Sequence, residues 1–176
     1  MSNRLMIFID GSNVYHSLRD TYGRTDVDYS KLVTWLAGGR ELRRTYYYNA
    51  QVDQAKDPLG YQNQQRFISS LRLIPYFEIR MGRLVYRNYP QAPPIEKGID
   101  VRLATDMLTH AYKGNFDIAL LVSGDNDFAD MLQAVKDHGK HVEVALFGTG
   151  GSSAQLRQTA DRIVTIDAAW MANCWR

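Results

Sequence analysis

The chain has 176 residues, 45% of them hydrophobic and 23% charged, with a net charge of +2. This is ordinary globular composition, long enough to bury a core as one domain, and no apolar run approaches the roughly 20 residues that span a bilayer. The single cysteine, Cys174, excludes an internal disulfide and suits a reducing cytosol, which is the expected location.

The opening run LMIFID (5–10) is too short for a signal-peptide core, and no small-residue cleavage site follows it. Arg4 to Asp10 reads as a buried strand, and helices are expected over Asn13–Tyr22 and Tyr29–Leu36. Thr45 to Val52 (TYYYNAQV) is β-rich, and alternation sends Tyr47 to the opposite side from Tyr46 and Tyr48, with at least one of them in the core. Pro58 to Leu73 suits a helix, with proline accepted in its first turn. Tyr76 to Arg87 holds two short strand-like runs about Gly82-Arg83, a pair that suits a two-residue hairpin turn. Asn88 to Ile95, with Pro90, Pro93 and Pro94, reads as loop.

The second half alternates in the same way. Leu103, Ala104, Met107, Leu108 and Ala111 recur at helical spacing within Gly98–Tyr112. Strand 116–122, helix 127–138, strand 141–147, helix 153–163 and a short strand 163–166 follow, with 168–175 as a terminal helix or tail. Apolar strands alternating with amphipathic helices predict an α/β fold whose mainly parallel sheet is covered on both faces. The expected organisation is one domain over 1–176, with a core of about 4–166.

In such sheets the site lies beyond the carboxyl ends of the strands, where strand order reverses. The acids fall where this rule asks. Asp10 ends the first strand, Asp125 follows strand 116–122, and Asp100 opens the helix before that strand. If the two strands are neighbours, three distant segments bring carboxylates into one cleft. Oxygen ligands of this kind suit Mg²⁺ or Mn²⁺, and such an ion activates water and stabilises the leaving oxygen of a phosphodiester.

Each residue has a plainer role to set against this one. Asp10 caps a turn before Gly11, or holds metal. Asn13 is the N-cap of the following helix, or orients a water or a neighbouring aspartate. Asp127 and Asp130 are spaced as N-cap and N3, so capping accounts for Asp130, while Asp127 is divided between capping and the metal. Ser123 is small for packing, or orients a ligand through its hydroxyl. Asp106, six residues after Asp100, lies roughly 240° further round the helix and is a supporting acid pointing elsewhere. Lys97 is a surface lysine, or neutralises substrate charge. Arg80, Arg83 and Arg87, with Tyr86 and Tyr89 beside them, suit contact with single-stranded nucleic acid or a charged sheet edge. GTGGSS (148–153) is a flexible turn, or a phosphate cradle without a P-loop ending.

The stretches FIDGSNV (8–14), KGIDVRLATDML (97–108), SGDNDFADML (123–132) and SSAQLRQTAD (152–161) together resemble the NYN domain, a PIN-like group of nucleases, and its bacterial LabA-like branch in particular. The resemblance implies a PIN-like three-layer α/β/α sandwich, a divalent-metal site for Mg²⁺ or Mn²⁺, and ribonuclease activity. It implies metal-site roles for Asp10, Asp100 and Asp125, a catalytic role for Asp127 beside them, and support from Asn13. The expected partner is single-stranded RNA, with no membrane; a homodimer is left open. The alternatives are a non-catalytic RNA-binding module and, less in keeping with Ser12 at the second position after Asp10, a phosphohydrolase with an aspartyl nucleophile.

Overall fold

The computed structural model describes residues 3–87, 89–148 and 153–176. Among them, seven strands form one sheet: β1 Arg4–Asp10, β2 Glu41–Gln51, β3 Phe77–Val85, β4 Ile95–Lys97, β5 Ile118–Val122, β6 His141–Phe147 and β7 Arg162–Ile166. Their spatial order is β4-β3-β2-β1-β5-β6-β7. Every pairing is parallel except that of β3 with β4. The helices are α1 Gly11–Tyr22, α2 Tyr29–Ala37, α3 Pro58–Leu71, α4 Ile99–Tyr112, α5 Ala129–Asp137, α6 Ala154–Thr159 and α7 Ala168–Met171.

Period-two alternation divides the core between the two faces of the sheet. Leu5, Ile7 and Ile9 of β1 join Tyr47 and the residues of α1 and α2 in one cluster. Met6 and Phe8 join Tyr46, Tyr48 and the residues of α4 and α5 in the other. The result is the expected three-layer α/β/α sandwich with a mainly parallel central sheet. All three consecutive tyrosines are buried, on alternate faces. Aspartates set several helix starts: Asp10 accepts from Asn13 N–H, Asp28 from Ser30 and Lys31 N–H, and Asp57 from Gly60 N–H. Each such cap is worth about 0.5–2 kcal/mol. Among the described residues no helix is long and apolar enough to cross a membrane.

β1 lies between β2 and β5, so the chain reverses its direction of travel across the sheet at the β1/β5 boundary. Asp10 is the last residue of β1, and β5 ends one residue before Ser123. The strands predicted at 4–10 and 116–122 are therefore neighbours at the switch point.

The expected hairpin about Gly82-Arg83 does not form. β3 runs unbroken through both residues, pairing Gly82 with Ala50 and Arg83 with Gln51. A β-carbon on Gly82 would collide with the Ile99 side chain, so glycine admits the start of α4 against the strand and makes no turn. The antiparallel partner of β3 is β4, which takes Ile95 out of the predicted loop. The predicted helix 127–138 is divided: a 3-10 turn spans Asn126–Phe128 and α5 begins at Ala129. Asp125, rather than Asp127, caps that turn by accepting from Asp127 N–H. The predicted helix 153–163 closes at Thr159, and β7 begins at Arg162. Most of the Gly148–Ser153 stretch lies outside the described residues.

Candidate acidic site at the strand exits

Asp10 is 4% exposed, the most enclosed of the acids at the switch point. Its two oxygens have separate partners. Oδ1 accepts from Asn13 N–H at 3.1 Å, and Oδ2 accepts from Ser123 Oγ–H at 3.0 Å. The capping role and the site role thus coexist on one side chain. Gly11 follows because a β-carbon there would collide with the Tyr47 ring and the Tyr48 carbonyl. Asn13 is not a cap. Its Oδ1 accepts from Gly124 N–H at 2.9 Å and from the Ser17 hydroxyl at 3.4 Å, tying α1 to the exit of β5. Ser123, 2% exposed, also accepts from Asp125 N–H at 3.2 Å, so one hydroxyl joins Asp10 to the next acid.

Electrostatics join the remaining carboxylates. Burial pushes the Asp10 carboxyl up to about 6, against the hydrogen bonds from Asn13 and Ser123, and Asp100 and Glu96 raise it further. Asp100, in the first turn of α4, is raised by burial and then by Asp125 and Asp127. Glu96 of β4 is raised by burial, lowered by a hydrogen bond from Ser12 and by His16, and raised by Asp100. Asp125 is half-buried, and Asp127 and Asp130 are exposed. Asp127 and Asp130 also line a cleft of about 340 Å³ against α6.

Glu96 is the residue that sequence reasoning missed. It directly follows the stretch read for its prolines, and a three-residue strand has no periodicity to detect. The available signal was an acid directly before Lys97 and four positions before Asp100.

The other expected residues are placed less centrally. Asp106 accepts from the Tyr48 hydroxyl at 3.0 Å and faces Arg80 Nε at 3.6 Å, so its partners are on β2 and β3. Arg80 also lies over the Tyr46 ring, 5.2 Å from its centroid. Arg83 and Arg87 are exposed. Because β3 is one unbroken strand, Arg80 and Arg83 point to opposite faces, so the three arginines do not form the shared patch expected of a hairpin. Lys97 is exposed on β4 opposite Arg83.

A hard divalent cation fits the chemistry of these donors: all are carboxylates, and neighbouring acids add to the rise that burial gives Asp10, Glu96 and Asp100, as uncompensated negative charge does. Among the described residues, however, no three His, Cys, Asp or Glu side chains form a ready-made cage for an ion. The fit is therefore to an ion that keeps most of its waters and takes few protein ligands, which is the habit of Mg²⁺.

Beside the acids, between α1, α3 and β2, lies a cavity of about 680 Å³ whose lining includes Ser12, Tyr15, His16, Tyr47 and Glu96. Burial pushes the Tyr47 hydroxyl in this cavity up to about 12, against hydrogen bonds with Asn49 and Tyr29, and Asp10 and Glu96 add to the rise.

No curated protein matches the sequence. Among solved structures, the chain is similar to a protein of unknown function from Vibrio parahaemolyticus RIMD 2210633. The two share 26% identity and a TM-score of 0.73, over 95% of this chain and 94% of that one. The family profile of the NYN domain matches residues 4–167, a span that holds every acid of the site. With that match over nearly its whole length, the chain belongs to the NYN domain family, which is of nuclease type.

Proposed function

We propose that the protein is a divalent-metal-dependent ribonuclease that hydrolyses phosphodiester bonds of single-stranded RNA, in the LabA-like branch of its family and in the cytosol. The observation that carries this reading is the buried Asp10 at the carboxyl end of β1, with Glu96, Asp100, Asp125 and Asp127 raising or sharing its negative potential from three other segments. A purely structural cap gains nothing from such neighbours. Asp10, Asp100 and Asp125 would hold Mg²⁺ or Mn²⁺, with Asp127 and Glu96 beside them. The bound ion supplies an acidified water and charge stabilisation at the phosphate. The chain's own residues do the positioning. Ser123 and Asn13 N–H fix the two Asp10 oxygens, and Asn13 Oδ1 fixes the backbone at Gly124 so that Asp125 leaves β5 in register with Asp10.

The rival reading, a non-catalytic RNA-binding module, is favoured by the lack of a ready three-ligand cage among the described residues. Incubation of purified protein with end-labelled single-stranded RNA separates the two. The ribonuclease reading expects cleavage with Mn²⁺ or Mg²⁺, none in chelator, and a large loss in Asp125→Asn. Equal cleavage by Asp125→Asn and wild type under matched metal would overturn it.

A further inference from the structure

We propose that the cavity between α1, α3 and β2 is a nucleobase site, holding the base of a single-stranded RNA nucleotide adjacent to the phosphate at the acids. The inference rests on the ribonuclease reading for its substrate class and adds where the substrate is gripped.

The cavity measures about 680 Å³, within the roughly 300–1,000 Å³ range of small-ligand sites. Two of its wall residues also belong to the acidic site. Glu96 lines the cavity and interacts with Asp100, and Tyr47 lines it and feels the charge of Asp10. A group in the cavity is therefore a near neighbour of one at the acids, as base and phosphate are within one nucleotide.

The lining chemistry selects the base and not the phosphate. Among the described residues it contains no Lys or Arg, and Glu96 contributes negative potential, so a phosphate is disfavoured there. Beside Glu96 and the His16 imidazole that faces it, the lining offers aromatic rings and neutral polar groups. Tyr15 is 50% exposed on α1, with its ring edge-to-face against His16 at 5.5 Å. A half-exposed tyrosine at a cavity mouth gives a base a flat apolar surface to stack on. Asn49 is committed internally, its Nδ2 to the Tyr47 hydroxyl at 3.1 Å and its Oδ1 to Ala50 N–H at 2.7 Å. Asn63, exposed on α3 at the cavity wall, is the amide placed to read a base edge.

The test is equilibrium binding in chelator, which requires no catalysis. The probes are a fluorescent short single-stranded RNA and its counterpart with base-free sugars throughout. Each is titrated into wild type, Tyr15→Ala and Asn63→Ala, all checked for folding by circular dichroism. Base removal should weaken binding to wild type by at least about tenfold, and most of that loss should vanish in Tyr15→Ala, because the stacking partner is already gone. Asn63→Ala should show a smaller effect of the same sign. The proposal is overturned if base removal costs the same in all three proteins, or costs nothing in wild type. Metal-activated cleavage is scored separately: its absence alongside base-dependent binding would overturn the ribonuclease reading and support the nucleobase site.

Discussion

Ser123 donates its hydroxyl hydrogen to Asp10 Oδ2 at 3.0 Å while its oxygen accepts the Asp125 N–H at 3.2 Å. One buried side chain thereby sets the spacing of two strand exits. Ser123→Ala should orphan one oxygen of a buried carboxylate and cost about 1–3 kcal/mol. It should also raise the Asp10 pKa further, since the lost hydrogen bond favours the ionised form. If Ser123 were present only for its size, a denaturant titration would show alanine to be nearly neutral.

Asp10 gives a pH prediction with a definite sign. Its carboxyl stands at about 6 in the folded protein against 3.8 unfolded, so the folded state holds its proton more tightly. Ionising it opposes folding: the cost is absent below the unfolded value, grows as pH rises through the folded value, and is then constant. The shift corresponds to roughly 3 kcal/mol at pH 8. Asp10→Asn should therefore be more stable than wild type at pH 8 in chelator, with the advantage fading toward pH 4. Melting curves across that range check it, and an advantage independent of pH would refute the assignment.

Glu96 is raised by burial and by Asp100, and Asp100 by burial and by Asp125 and Asp127, so Glu96→Gln and Asp100→Asn should each leave metal-free stability equal or higher. Both changes should shrink the stabilisation given by added Mn²⁺, which follows RT ln(1 + [L]/Kd) for an ion that binds only the folded state. A full Mn²⁺ shift in both variants would remove these two acids from the metal site.

The arginines divide by face. Arg80 is tied to Asp106 and the Tyr46 ring, so Arg80→Ala should cost about 1–2 kcal/mol of stability. Arg83 and Arg87 are exposed, and each replacement by alanine should lower the slope of log K against log salt for RNA by roughly 0.7. Fluorescence anisotropy at several salt concentrations reads the slope, and an unchanged slope would return both residues to the role of a charged sheet edge.

The strongly periodic parts of the fold were legible in the sequence. β1, β5 and β6 are buried on both faces and read as apolar runs, and the Asp10, Asp100 and Asp125 positions followed from the rule for strand exits. What was not legible depended on partners far away in the chain. Gly82 looked like a turn residue because glycine marks both turns and close approaches, and only the packing of Ile99 against β3 separates the two. β4 is too short to show a pattern, and pairing with β3 creates it. With β4 unseen, Glu96 was unseen as well. The roles of Asp125 and Asp127 in capping were exchanged because the helix begins with a 3-10 turn, which moves the cap by two residues.

The proposed role of these acids is to hold a metal ion. Its most direct measurement is the anomalous scattering of Mn²⁺ in crystals of the wild-type protein grown or soaked with the ion. A peak is expected at the β1/β5 exit, with at least one oxygen of Asp10, Asp100 or Asp125 in direct coordination. An empty exit at saturating Mn²⁺, or Mn²⁺ bound only elsewhere, would contradict it and leave Asp10 and Asp125 as caps for α1 and the 3-10 turn.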